Sequence, residues 1–323
     1  MDYNADMLKG MFISLAVCFG EACAEPLSFY ITPGEGITTW KAPLVRIDAA
    51  ALDAAEQTAE LAAKKYQQGL GTALDCAAAQ LALVRLQRPL MWSEVSAKMQ
   101  RLKLFEAARK VRDIVEKLHE NQFASDETLY KAQLDDAWMR VLSLAGGRAP
   151  DVYQEKLKLA EALLGKLELL IADGVRAGQN DKADVLLVKA AQGEVKLASC
   201  SRSDDTRAVA LLELQQTYDA LAELMTAREK QGLCAGDAAE SAREAARVFR
   251  REVNLQSEDN SPGRVAALKE YCDIFESLIP LIQQKAECGT KQGRLLRYDA
   301  KYARYHLERL RQDYESACEK LQK

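Results

Sequence analysis

The stretch that decides the fold is Val175–Leu197, VRAGQNDKADVLLVKAAQGEVKL. Gly178 stands where a helix C-terminus needs a positive φ, which a residue without Cβ adopts freely. Asp181 follows as an N-cap, and Asp184 adds negative charge at the positive end of the next helix. Leu186, Ala190, Gly193 and Leu197 then mark one apolar helix face, with small residues that let a neighbouring helix come close. The stretch reads as the tip of an αα-hairpin.

Looser copies of this tip recur at Gly69 (YQQGLGTALDCAAAQLAL), Asn121 (HENQFASDETLYKAQLDDAW), Gly232 (KQGLCAGDAAESAREAA) and Gly289 (ECGTKQGRLLRYDAKYA). The five turns, Gly69, Asn121, Gly178, Gly232 and Gly289, lie 52, 57, 54 and 57 residues apart. Between them fall breaks of another chemistry: Arg88-Pro89, Gly146–Pro150, Ser201–Asp205 and Ser257–Gly263. Proline in a first helical turn, or Ser or Asp as a cap, restarts a helix at each. The chain therefore runs up and down. The sequence predicts an all-α fold of about ten long antiparallel helices in five αα-hairpin repeats, as an elongated bundle or stacked hairpins. Each helix would hold roughly 20 to 28 residues, or about 30 to 42 Å at 1.5 Å per residue.

Composition supports a packed domain: 48% of residues are hydrophobic, 28% are charged, and the formal net charge is −4. That balance excludes a disordered chain and gives no whole-chain reason to expect nucleic acid or an anionic membrane as partner. Residues 1–24 read as a secretory signal peptide. Met11–Gly20 is an apolar core too short to span a bilayer, and Ala22-Cys23-Ala24 ahead of Glu25-Pro26 fits small-x-small cleavage. The protein is then exported, periplasmic or associated with the cell envelope, with no transmembrane helix after cleavage. Residues 25–44 form a separate arm. Leu27–Thr32 and Ile37–Trp40 are β-branched and aromatic around Pro33-Gly34-Glu35-Gly36, as in a β-hairpin or an extended arm along the helices. Residues 45–323 are the helical-hairpin repeat domain.

Within that domain, Tyr153–Ile171 carries leucines at 157, 159, 163, 164, 167, 169 and 170, a face wide enough for two neighbours. Pro280 falls inside Ile274–Lys285 and should kink that helix. The last helix has two stripes. Leu296, Ala300, Ala303, Leu307, Leu310, Tyr314 and Ala317 form a coiled-coil-like seam, and Leu295, Tyr298, Tyr302 and Tyr305 run beside it at core spacing.

No convergent chemistry appears. The two histidines, His119 and His306, lack partners at a metal-ligand spacing. No nucleophile elbow, phosphate loop or HExxH is present, and the carboxylates alternate with Lys and Arg as a solvated helix face requires. No catalytic, cofactor or metal residue is expected. The tyrosines of the last helix lie among Arg294, Arg297, Lys301, Arg304, Arg309 and Arg311, a mixture that can bind nucleic acid. Their core spacing and the export signal argue for packing instead. Six cysteines follow the signal peptide: Cys76, Cys200, Cys234, Cys272, Cys288 and Cys318. Either they are free thiols or some pair. Cys234 and Cys288 sit closest to their own hairpin turns, at one end of consecutive hairpins, so Cys234–Cys288 is the bridge the repeat register selects.

The tip pattern resembles that of the TolC family of outer-membrane efflux proteins. In that family a tyrosine-x-x-glycine turn precedes an Asp-Val-Leu-x-Ala-Gln-like helix start. Tyr66-Gln-Gln-Gly69 with Ala79-Gln80, and Gly178 with Asp184-Val185-Leu186 and Ala191-Gln192, carry the resemblance. It implies long antiparallel helices and a place in an export assembly. The family's longer helices and barrel-forming strands have no counterpart here. The sequence thus points to an exported, non-catalytic helical scaffold or partner-binding protein of the cell envelope. The alternative it leaves is a TolC-like component of an outer-membrane efflux or export assembly.

Overall fold

A computed structural model of the protein describes residues 27, 29–37, 49–91, 93–145, 149–200, 205–258, 261–287 and 291–322. Among the described residues the chain is all-α: α1 (Ala49–Gln67), α2 (Ala73–Gln87), α3 (Glu94–Glu120), α4 (Asp126–Leu144), α5 (Pro150–Arg176), α6 (Lys182–Ser199), α7 (Asp205–Lys230), α8 (Gly236–Leu255), α9 (Pro262–Ala286) and α10 (Lys291–Gln322). Each helix packs on the next, so the hairpins stand side by side. None is long and apolar enough to cross a membrane.

Four hairpin tips share one geometry. Gly69, Gln122, Gly178 and Gly232 hold positive φ of 71°, 65°, 72° and 70°. The following residue closes each tip through its N–H: Leu70 to the Lys65 carbonyl, Phe123 to Leu118, Gln179 to Gly174 and Leu233 to Arg228, each at 2.8 Å. These are Schellman closures, which satisfy the last carbonyls of the first helix. Three residues beyond each positive-φ residue stands the next N-cap: Thr72, Ser125, Asp181 and Ala235. Thr72 with Asp75, and Asp181 with Asp184, complete capping boxes. At the second tip the left-handed residue is Gln122 rather than Asn121, which caps α3 at φ −92°. The fixed loop length places the turn there despite glutamine's poorer fit. Gly289 lies outside the described residues.

Two apolar cores hold the array. The larger runs from the arm through α2 to α8 and centres on Trp138, Leu164, Tyr218 and Phe249. Alanines 238, 239, 242, 245 and 246 bring α8 close onto α7. In α5, Leu157, Leu163, Leu164 and Leu167 are buried, while Leu159 and Leu169 of the expected broad face are exposed. The smaller core gathers Leu52 of α1, Leu90 and Met91, and the facing sides of α9 and α10. Lys285 of α9 bonds Asp53 and Glu56 of α1 at 2.8 and 2.9 Å, and Asp299 of α10 receives Ser96 Oγ of α3 at 2.7 Å. The row of hairpins therefore returns on itself, with the fifth against the first. α9 continues through Pro280 to Ala286 as one helix.

Among the described residues the arm has no strand and carries a 3₁₀ turn at Glu35–Ile37; residues 38–40, most of the expected second strand, lie outside the described residues. Ile31 and Glu35 are buried in the helical array, where the Glu194 side chain takes up the Gly34 and Gly36 N–H groups.

Candidate functional site

Among the described residues, a buried polar constellation forms the clasp that seats this arm. Glu194, on the fourth turn of α6, is fully buried. Its Oε1 accepts the Gly34 N–H and its Oε2 the Gly36 N–H, both at 2.6 Å. The Tyr218 hydroxyl of α7 donates to Oε1 at 3.3 Å. Glu35, between the two glycines, points the other way. It accepts from Arg88 at 2.7 Å and from the Trp138 indole N–H of α4 at 2.8 Å. Arg207 of α7 donates to the Ile37 carbonyl at 3.0 Å. The 3₁₀ turn is thus held by side chains from α4, α6, α7 and the end of α2.

Shape makes the clasp selective. A Cβ on Gly36 would lie 2.6 Å from Glu194 Oε2 and nearer still to its carbonyl oxygen, so only glycine fits. Phe29 of the arm packs on Tyr218, which stacks on Phe249 at 4.6 Å between ring centroids. Tyr30 lies under the Lys131 ammonium at 4.8 Å.

Two carboxylates this close, out of water, cannot both be charged cheaply. Arg88 sits on Glu35, and Glu194 has only neutral donors. Burial pushes the Glu194 carboxyl up to about 8, outweighing the Gly34 and Gly36 N–H bonds that favour the anion, with Glu35 adding to the rise. Burial, and then Glu194, likewise hold the Tyr218 phenol well above its ordinary value. The arrangement binds backbone N–H groups at Glu194; it is filled by the chain's own arm.

No family model, curated protein or solved structure matches the chain. The site is therefore read from its geometry.

The residues singled out in the sequence are dispersed. The tip residues Gly69, Asn121, Gly178 and Gly232 stand at hairpin ends, away from the clasp. Cys234 Sγ faces the Met225 carbonyl at 3.4 Å; Cys288, its expected partner, lies outside the described residues. His119 bonds Asp126 across the second tip at 2.7 Å, and His306 packs beside Phe275. No cluster of three or more His, Cys, Asp or Glu that could hold a metal occurs among the described residues. A shallow groove between α7 and α8 is lined by Asp219, Glu223, Thr226, Lys230 and Arg250, with Arg250 bonded to Asp219 at 2.8 Å. The clasp residues Glu194, Arg88, Trp138 and Tyr218 were not singled out from sequence. Gly34-Glu35-Gly36 was the one local signal, and it read as a turn.

Proposed function

We propose that the chain is an exported, non-catalytic helical scaffold that binds a partner protein in the cell envelope. The observation that carries this reading is the shared tip end of the array. Leu70, Phe123 and Leu233, the residues that close three of the four tips, are 76%, 61% and 70% exposed. Three large apolar side chains at equivalent positions on one end are what a partner surface would cover. A photo-crosslinking amino acid at Leu70, Phe123 or Leu233 should trap one recurrent partner in native envelope. Absence of any stoichiometric adduct from all three positions would remove the reading.

A second reading, a TolC-like component of an efflux or export assembly, rests on the turn resemblance and on the tips at Gly69 and Gly178 that carry it. It requires membrane association and a trimer. Sedimentation of the purified protein as a soluble monomer eliminates it.

A further inference from the structure

A second surface, far from the tips in sequence, has a different chemistry. α10 packs on α9 and touches α3, burying Leu296, Ala300, Ala303, Leu307 and Ala317. At 100° per residue the opposite side of the helix carries Tyr298, Tyr302 and Tyr305. They are 64%, 50% and 55% exposed, so this stripe is not core. A cation precedes each ring (Arg297, Lys301 and Arg304), and Arg309 continues the tyrosine row one turn on. All four cations are exposed, and none has an ion-pair partner among the described residues. Arg311, on the same helix but turned towards α9, is by contrast held by Glu276 at 2.6 Å. From Arg297 to Arg309 the only exposed carboxylate is Glu308; Asp299 is buried.

We propose that this outer face of α10 docks an acidic segment of a protein partner. A strip of unpaired cations on a chain whose net charge is −4 calls for an anionic ligand. The side-chain types select among anions. Tyrosine and arginine are the residues enriched where protein interfaces carry most of their binding energy, and arginine takes carboxylates in bidentate fashion. A lipid surface would want aliphatic or tryptophan side chains to enter the acyl boundary, and this face offers hydroxyl-tipped rings. Single-stranded nucleic acid is tracked in a charged groove, whereas these rings stand on the outside of an edge helix.

The test uses the purified full chain and a fluorescein-labelled acidic helical peptide built from Glu, Ala and Leu. Controls are the same peptide with Lys for Glu, an oligo-dT strand, and vesicles of mixed zwitterionic and anionic phospholipid. The acidic peptide should bind, more weakly as salt rises, and the lysine peptide should not. The triple variant Y298A/Y302A/Y305A should lose about tenfold or more in affinity, as should R297Q/K301Q/R304Q/R309Q. Y298F/Y302F/Y305F, which keeps the rings, should stay within about threefold of wild type. All positions are exposed, and unchanged helical circular dichroism confirms folding. The proposal is overturned if the acidic peptide does not bind, or binds the triple alanine variant as well as wild type. Tighter binding of oligo-dT or vesicles through these same residues overturns it too. Crosslinking at Leu70, Phe123 and Leu233 reads the tip surface alone, so failure at α10 leaves the scaffold reading to stand or fall separately.

Discussion

At Glu194 a single buried side chain accepts two of the backbone N–H groups that seat the arm. The free carboxyl of an unfolded glutamate titrates at about 4.3. Burial pushes the folded one up to about 8. Between those values the folded state holds a proton the unfolded chain has released. The clasp's contribution is therefore complete below the unfolded value and is lost as pH rises through the folded one. Wild-type melting temperature should fall between pH 5 and pH 8, and Glu194→Gln should flatten that fall, since an amide does not titrate. The amide also faces a backbone N–H with an N–H of its own, so the variant should melt lower than wild type at pH 6. Equal slopes for the two proteins would show that Glu194 is not the group. Gly36→Ala tests the same seat sterically. It should cost about 1 to 3 kcal/mol by overpacking and leave the arm open to limited proteolysis. Little of this was legible beforehand. Glu194 is one of 48 acidic residues, in a helix whose neighbours read as an ordinary amphipathic face. Nothing local says that its partner lies 160 positions away.

Helices and their tips were far more legible, because their signals are local. A positive-φ residue, three positions and a cap recur four times, and the break chemistry at the other end differs from it. Gln122 marks where locality failed. Asn121 is the better turn former, but loop length gives the left-handed site to the next residue. Gln122→Gly should therefore stabilise by up to about 1 kcal/mol, while Gly178→Ala, with open space around its Cβ, should lose about as much through backbone strain alone. Chemical denaturation of both variants checks the pair; shifts in the same direction would contradict it. The α10 stripes show a second limit. Both have helical periodicity, and periodicity cannot say which of two rows faces the core. Residue size could have: the buried row is Leu and Ala, and each tyrosine of the exposed row follows a cation.

On the scale of the molecule, the return of the last hairpin onto the first was not legible, because it rests on contacts of long sequence separation. Asp299 is the most informative of them. It is fully buried on α10, and it accepts the Ser93 backbone N–H and the Ser96 hydroxyl at the start of α3. The Ser93 side chain in turn caps α3. One carboxylate thus ties the smaller core to the helix that opens the second hairpin. Asp299→Ala leaves the buried Ser93 N–H without its acceptor, so it should cost about 2 kcal/mol. The loss should be unevenly distributed. α1, α9 and α10 share their apolar core with each other rather than with α4 to α7. Their amides should exchange faster in the variant, while those of α4 to α7 keep their wild-type protection, because cooperative units follow shared cores. Native-state hydrogen exchange resolved by helix measures this directly. If protection falls equally in α5 and in α10, the two cores unfold as one body and Asp299 does not join separable parts.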